Sequence, residues 1–400
     1  MLPILYEKNT TKSDFDKNGL GFVRNCVKCN VVEERNGIYE LELELSPTDR
    51  LAKDILPGRF LKVKSNPYDN PQIFEIYQVS VTDTSITARG QHFKYRANGS
   101  IVSEIPGLSK LQNKTPSLTW EAIQDYLEPQ SYLEFYSDIN TTNTVTAANA
   151  RPVRLGEFLM GVKGSMLDVF GGEFHYDNFK IELLSQRGTN SGAVVRYGSN
   201  ISSYRQDGDI STVYTHIIPY AIVQVERGDT YESLGEKVIF LSEYKLEIAA
   251  ILNEAYPNSA PHSSYLSYLK GLSYDFSDDF TDDKLIVYRY GESGEVPDNW
   301  NNLTDKLGTV AKKYVVENSA ALTDVSVNIT IDTAESLKNL QHCKLCDTVQ
   351  VYFEPLNYYS TAKIVKTYYD CLLEKYTKLE LGVVKKTIAD LFSSKNIGGV

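Results

Sequence analysis

Two pairs of cysteines have the spacing of metal ligands. Cys26 and Cys29 form one Cys-X-X-Cys pair, and Cys343 and Cys346 form the other. Two such pairs could hold a zinc ion, but 313 residues separate them. Cys29 also lies in an alternating strand, in which residues three apart point to opposite faces. We therefore expect buried, unreactive thiols; a zinc site joining two domains and redox chemistry are the alternatives. A disulfide framework that includes Cys371 is not expected in a protein made in a cytoplasm.

The histidines do not form a recognisable catalytic motif. No His-Glu-X-X-His or Gly-X-Ser-X-Gly sequence is present, so the common zinc-protease and hydrolase motifs are absent. His342 beside Cys343 could act as a base next to a nucleophile, but sequence neighbours rarely have that geometry. The five histidines are scattered: His92, His175, His216, His262 and His342.

Two groups of acidic residues allow other interpretations. One group comprises Asp275, Asp278, Asp279, Asp282 and Asp283. It could bind calcium, but it lacks the alternating ligands and the glycine of a calcium loop, so we predict a solvated loop. Glu173 with Asp177 and Asp168 could be sugar-cleaving carboxylates, but we favour the polar face of a hairpin. The 28 tyrosines could line a saccharide or protein surface, although tyrosine is common in strands. No catalytic, cofactor-binding or metal-binding residue is assigned.

The composition is that of a globular protein of several domains. The chain is 42% hydrophobic and 23% charged, with a formal net charge of -11. The acidic balance argues against sequence-independent binding to a nucleic-acid backbone. No apolar run reaches the length of a membrane span, and the first residues lack the pattern of a secretory signal. We expect synthesis in a cytoplasm and no stable membrane anchor.

Alternating apolar and polar residues in the first third predict antiparallel strands. After Asn36-Gly37, which is typical of a tight hairpin turn, apolar residues alternate with glutamates from Tyr39 to Leu45. Period two predicts one buried and one solvated face. Other strands are predicted at 27–31, 60–63, 73–79 and 85–88. Five short strands with hairpin-length links predict a small barrel or sandwich.

The middle of the chain mixes helix and strand patterns, and strand patterns return after residue 318. Helices are predicted from 117, over 155–170, over 303–314 and over 385–392, with a hairpin at 174–184. The fold class is therefore mixed α+β and β-rich, with two similar small antiparallel β-barrels flanking α+β central domains. The predicted domains are a first β-barrel at 1–100, a central α+β domain at 101–213, a second mixed segment at 214–319 that partly completes the first two, a second β-barrel at 320–383 and a C-terminal helix at 384–400.

The two strand-rich ends share a spacing. In each, a valine in one strand precedes an isoleucine in the next by 13 residues: Val63 and Ile76, then Val351 and Ile364. We interpret regions 22–92 and 320–383 as two copies of one barrel, and we expect them to superpose.

Several stretches, in order, resemble the phage tail-tip hub proteins, a family also described as prophage tail endopeptidases or tail-associated lysins. The N-terminal stretches are Asn18-Gly19-Leu20-Gly21, residues 29–41 and Pro71-Gln72-Ile73-Phe74-Glu75-Ile76-Tyr77. The central ones are Gly164-Ser165-Met166-Leu167-Asp168, Gly172-Glu173-Phe174, Asp177-Asn178-Phe179, Arg187-Gly188 and Arg196-Tyr197-Gly198-Ser199-Asn200. The C-terminal ones are residues 345–351, Ala362-Lys363, Glu374-Lys375-Tyr376 and Leu381-Gly382.

The resemblance implies a baseplate hub: a homotrimeric ring in the virion that joins the tail tube to the tip and takes part in tail opening and DNA passage. Its implied partners are distal tail and tail tube proteins, receptor-binding or spike proteins and the tape-measure protein, with no specific nucleic-acid sequence. In long family members the peptidoglycan-cleaving domain follows the hub region, and this chain ends about 18 residues after Gly382. We therefore expect no enzymatic activity; a cell-wall endopeptidase and a host-surface adhesin are the alternatives.

Overall fold

The structure divides the chain into two units. The computed structural model describes residues 1–103, 111–148, 152–196, 205–209, 213–257, 266–291, 294–318, 326–331, 337–353 and 358–383. Unit 1 comprises Met1–Gln206 with Asn328–Val384, and unit 2 comprises Asp207–Val327 with Lys385–Val400. The helix predicted at 385–392 lies outside the described residues. None of the described helices is both long and apolar enough to span a bilayer.

The N-terminal strands follow the predicted alternation. They are β1 (Ile4–Tyr6), β2 (Gly21–Phe22), β3 (Cys26–Glu34), β4 (Tyr39–Leu45), β5 (Phe60–Val63), β6 (Gln72–Val81) and β7 (Ile86–His92). In β4 every apolar residue is buried and every glutamate is half-buried. The turn between β3 and β4 has a positive φ of 51° at Asn36 but not at Gly37, so one residue of the predicted pair adopts the left-handed conformation.

The central elements include the predicted hairpin. They are β8 (Ile101–Val102), α1 (Pro116–Ile123), β9 (Leu127–Glu128), β10 (Glu134–Ser137), β11 (Val153–Arg154), α2 (Leu155–Leu159), α3 (Met166–Phe170), β12 (Glu173–Asp177), β13 (Lys180–Leu184), β14 (Asn190–Arg196) and β15 (Arg205–Asp209). The single helix expected over 155–170 was wrong. Gly161 and Gly164 have φ angles of 98° and 76°, which a helix does not accommodate, so two short helices form instead.

Unit 2 is a helix-covered sheet. Its elements are β16 (His216–Arg227), β17 (Ser233–Phe240), β18 (Leu246–Glu247), α4 (Ile248–Ala255), β19 (Gly271–Asp275), β20 (Lys284–Tyr290), β21 (Gly294–Pro297) and α5 (Trp300–Glu317). The central strand β16 pairs with β17, β18, β19 and β20. The helix α5 is longer than predicted and buries Leu303, Leu307, Ala311 and Val315. This spacing of three to four residues places one apolar face of the helix in the core.

The C-terminal strands complete the sheet of unit 1. They are β22 (Ser326–Ile331), β23 (Thr348–Phe353), β24 (Tyr358–Asp370) and β25 (Lys375–Val383). The sheet runs in the order β22-β25-β24-β3-β4-β7-β6-β5-β1-β2, and β23 pairs with both β24 and β14. The β-rich, mixed α+β fold class predicted from the sequence is confirmed.

Two four-stranded groups in this sheet have the same topology. The N-terminal group is ordered β4-β7-β6-β5, and the C-terminal group is ordered β22-β25-β24-β23, all antiparallel. Val63 pairs with Gln72 and Val351 pairs with Ser360, nine residues later in both groups. A bulge also follows the corresponding isoleucine, after Ile76 in one group and after Ile364 in the other. Order, register and irregularity thus repeat together.

Among the described residues, strand β3 connects the two groups in the sheet, because it pairs with β4 on one side and with β24 on the other. The sequence did not predict the pairing with β24. Strand β3 pairs antiparallel with β24, from Glu34 opposite Lys366 to Asn30 opposite Asp370. We call this pair the seam. It makes the two groups parts of one continuous sheet.

Candidate functional site

The hairpin β12–β13 is fastened to the N-terminal strand group by side-chain amides. Asn36, in the turn between β3 and β4, accepts a hydrogen bond from the Phe174 amide at 2.7 Å and donates one to the Gly172 carbonyl at 3.1 Å. An asparagine that pairs with backbone on both sides acts as a strand-like link. The Asn-Gly turn and the Gly-Glu-Phe stretch therefore form one contact.

The tip of the same hairpin makes a second amide link. The Asn178 side chain accepts a hydrogen bond from the Ile73 backbone amide at 2.8 Å, and the Asn178 backbone amide donates to the Gln72 side chain at 3.0 Å. The Gln72 side chain donates to Asp177 at 2.8 Å and pairs with the buried His92 at 2.9 Å. Burial lowers the pKa of His92 well below its usual value, so the neutral ring is a structural member of this network.

A buried ion pair lies beside the hairpin. The Arg187 guanidinium contacts Glu33 of β3 at 2.7 Å, and the two side chains are only 11% and 5% exposed. Arg187 also approaches Asp69 at 4.0 Å. Burial lowers the pKa of Arg187, but the charge and hydrogen bond of Glu33, together with the other negative groups nearby, raise the pKa above its usual value overall. These groups line a polar cavity of about 160 Å³ together with His175 and Lys344.

His175 stands between two carboxylates in this cluster. Its Nδ1 lies 2.6 Å from Glu182, and its Nε2 lies 3.4 Å from Asp69. Burial lowers the pKa of His175, but the hydrogen bond to Asp69 and the other neighbouring groups raise it overall. Burial raises the pKa of Asp69, but the interactions with His175, with smaller contributions from Asn66 and Arg187, lower it to about 2 overall. The cationic ring is thus favoured, because it can donate to both carboxylates.

Glu173 connects the hairpin to the C-terminal strand group. Its carboxylate accepts hydrogen bonds from Lys363 of β24 at 2.5 Å and from the Arg187 amide at 2.8 Å. Burial raises the pKa of Glu173, but the hydrogen bonds from Lys363 and the Arg187 amide, together with the neighbouring positive charges, lower it overall. Nearby, the Gly188 backbone packs so closely that an added Cβ would lie 2.0 Å from the Cys346 carbonyl oxygen. We call the hairpin, its amide links and these buried charges the junction.

The three carboxylates considered for sugar cleavage have structural partners. Glu173 has those just described, and Asp177 accepts a hydrogen bond from Gln72. Asp168 accepts one from the Gly164 amide at 2.7 Å and lies in the first turn of α3. A general acid needs a carboxyl that can hold a proton near neutral pH, and the lowered pKa of Glu173 opposes that role. The geometry of the junction suits cohesion between segments distant in sequence.

The cysteines are arranged differently from the sequence interpretation. A bulge in β3 at Val27 places Cys26 opposite Leu45 and Cys29 opposite Leu43. Both leucines point inward, so Cys26 and Cys29 share a face, and the expectation of opposite faces was wrong because an extra residue shifts the alternation. All five thiols are free. Burial raises the pKa of Cys346 to about 12.

The other candidate residues are dispersed. Asp275 accepts hydrogen bonds from Ser277, and Asp283 pairs with Lys306, while Asp278, Asp279 and Asp282 are exposed. His342 is exposed beside the buried Cys343, His216 contacts Thr215, and His262 lies outside the described residues. Within the described ranges, no group of three or more His, Cys, Asp or Glu side chains is arranged to hold a metal ion.

A larger cavity of about 550 Å³ lies beside the buried Lys94. The Lys94 ammonium donates to the Gly37 carbonyl at 2.5 Å and lies 4.3 Å from the Tyr176 ring centroid. Burial lowers the pKa of Lys94 to about 8. The carbonyl and the aromatic ring satisfy this lysine within the fold.

Sequence reasoning missed the Glu33–Arg187 pair, although a signal was present. Glu33 follows Cys29 and Val31 at the inward positions of β3, and it is buried like them. A charge at an inward position of an alternating strand indicates a buried partner. The identity of that partner, 154 residues away, could not be read from the pattern.

Comparisons with known proteins agree with this fold. Across 99% of this chain, the structure is similar to prophage tail protein gp18 from Listeria monocytogenes EGD-e, over 98% of that protein, with a TM-score of 0.54 and 14% identity. Weaker similarity extends to the 43 kDa tail protein of prophage MuSo2 from Shewanella oneidensis (TM-score 0.47, 11% identity, 96% of this chain and 98% of that one). A tail protein from Neisseria meningitidis MC58 is comparably similar (TM-score 0.48, 7% identity, 96% of both chains). No curated protein matches the chain in sequence.

The sequence comparison with protein families gives one assignment. Residues 189–392 match the family described as prophage endopeptidase tail. This match covers more than half of the 400 residues. It begins at Thr189 and includes β14 and the whole C-terminal strand group. The chain belongs to the prophage endopeptidase tail family.

Proposed function

We propose that this phage tail protein is a baseplate hub at the tail tip. Three chains form a ring that joins the tail tube to the tip and takes part in tail opening and DNA passage. The observation that supports this proposal is the repeated four-stranded group, with its matching order, register and bulge, in a member of a prophage tail family.

The repeat gives a physical reason for a trimer. Three chains with two similar strand groups each present six similar surfaces, which suits a sixfold tube above a threefold tip. In a closed ring every chain makes the same contacts with its neighbours, so no interface is left unpaired. The ring also covers sheet edges that would otherwise template aggregation. The junction supports this role because it links both groups through Glu173 and Arg187.

The role we propose is structural and does not include catalysis. The partners are other copies of the chain, the tube and distal tail proteins, receptor-binding or spike proteins and the tape-measure protein. The domain division at 1–100, 101–213, 214–319, 320–383 and 384–400 is part of the proposal, with 384–400 as the exit towards the tip. Removal of 384–400 should abolish binding of tip partners while leaving the oligomer intact.

Two measurements test the hub directly. Analytical ultracentrifugation across a concentration series should show a trimer, and cross-linking of intact tails should connect this chain to the tube protein and to a tip protein. A chain that stays monomeric at the highest soluble concentration, and that cross-links to neither protein in tails, contradicts the proposal. Incubation with peptidoglycan separates the enzymatic alternative, since released muropeptides would show that the chain is a hydrolase. Retention on intact cell walls would instead favour an adhesin.

A further inference from the structure

Three cysteines meet at the end of the seam. The bulge at Val27 brings the Cys26 thiol against Cys29, and the Cys29 thiol in turn interacts with Cys371. The sequence had suggested pairing by Cys-X-X-Cys spacing, but Cys371 belongs to neither such pair. Cys29 is the central member, because it contacts both of the others.

Cys29 and Cys371 occupy directly opposite positions on adjacent antiparallel strands. The seam register pairs Asn30 with Asp370, so the next position pairs Cys29 with Cys371. The Cys371 amide donates a hydrogen bond to the Cys29 carbonyl at 2.8 Å. Directly opposite residues of an antiparallel pair have Cα atoms about 4.5–5.5 Å apart, inside the range of about 4.4–6.8 Å found in disulfides.

We propose that Cys29 and Cys371 are a disulfide-forming pair that locks the seam when the protein meets a peroxide oxidant outside the reducing cytoplasm. The bond would link β3 to the chain immediately after β24, and so would join the two repeated strand groups covalently. This position would account for two buried thiols that face each other across the seam.

Cys26 is the entry point for the oxidant. Cys29 and Cys371 are fully buried, whereas Cys26 is partly exposed. The Cys26 thiolate attacks one peroxide oxygen, which gives a sulfenic acid and releases hydroxide. The Cys29 thiol then displaces the sulfenic oxygen as water and forms a Cys26–Cys29 disulfide. Attack by Cys371 on the Cys29 sulfur forms the final bond and returns Cys26 as a thiol. In total, two thiols and one hydrogen peroxide give one disulfide and two waters.

The rate of this relay should be slow. The hydrogen bond with Cys29 and burial both raise the pKa of Cys26, and the thiolate is the reactive form. The pair thus behaves as a slowly formed structural bond and not as a rapid redox sensor.

The test uses the full chain and hydrogen peroxide. Reduced protein is incubated with peroxide, free thiols are alkylated in denaturant, and peptides are mapped without reduction. We expect loss of two of the five thiols, one peptide pair linked through Cys29 and Cys371, and a higher urea midpoint than the reduced protein. Recovery of five free thiols, or of a Cys26–Cys29 bond as the final product, overturns the proposal.

Two variants separate the relay from nonspecific oxidation. Cys26→Ser should lose the Cys29–Cys371 link over the time in which the native chain forms it. Cys343→Ser, which removes another buried thiol of unit 1, should form the link at the native rate. Equal rates in the two variants would refute the entry role of Cys26.

Discussion

The buried Arg187 should be the most sensitive single position of the junction. Replacing it with alanine leaves Glu33 without its 2.7 Å partner, although that side chain is only 5% exposed. Removing one member of a buried ion pair typically costs about 3–5 kcal/mol, because the remaining charge stays desolvated. The two weaker contacts of the guanidinium, to Asp69 at 4.0 Å and the Phe174 carbonyl at 3.4 Å, are lost as well.

Each unit contains one of the two tryptophans, so unfolding can be followed separately. Trp120 lies in unit 1 and Trp300 in unit 2. In a Trp300→Phe background, the fluorescence of Trp120 reports unit 1 alone. Arg187→Ala should lower the urea midpoint of this signal by roughly 1–2 M, given a urea dependence of about 2–3 kcal/mol per M for a unit of this size.

A double substitution tests whether the pair, and not the arginine alone, carries the effect. Arg187→Ala with Glu33→Gln should cost less than the sum of the two single changes, because the double variant retains no unpaired charge at this pair. Lys17→Ala, which removes an exposed partner of Asp14, is the control and should leave the midpoint unchanged. A midpoint shift for Arg187→Ala as small as that of the control would refute the reasoning.

Three further changes test other parts of the structure. The pKa of His175 is raised in the folded protein, so the stabilisation from its charged ring is complete below the unfolded-state pKa of about 6.5 and is lost as the pH rises through the folded-state pKa. His175→Gln should therefore lower the urea midpoint more at pH 5.5 than at pH 8.5. An equal loss at both pH values would contradict this prediction. Gly188→Ala should destabilise unit 1 by about 1–3 kcal/mol in urea unfolding, since its Cβ meets backbone, whereas Gly99→Ala, with open space around it, should be neutral. Elemental analysis should find well under one zinc per chain, and about one zinc lost together with stability in Cys346→Ser would overturn that prediction.

The local elements of the fold were predictable because their patterns are local. Alternation located β3 to β7, and the 13-residue spacing of Val63 to Ile76 and of Val351 to Ile364 anticipated the repeat. The matching register and bulge show why that spacing recurs, because the 13-residue spacing fixes which residues of neighbouring strands face each other.

The long-range pairings were not predictable from these patterns. An alternating strand shows which face is buried but not which strand lies beside it, so the seam was missed. The bulge at Val27 was missed for a different reason, since one extra residue leaves no mark on composition yet reverses the facing of Cys26. The hydrogen bonds of the Asn36 and Asn178 side chains were missed, because they depend on partners more than 100 positions away.

The seam also sets the order in which the newly made chain can fold. Glu34 and its partner Lys366 are 332 positions apart, so the ribosome must synthesise all of the intervening chain before β3 gains its second neighbour. Unit 2 is formed, among the described residues, from a stretch between the two segments of unit 1, and it can fold earlier. Until then β3, which is paired with β4 on one side, has an open edge on the other side, a surface prone to pairing with the wrong chain. Slow, late closure of the sheet would make the time before β24 is synthesised the period in which this protein is most dependent on chaperones.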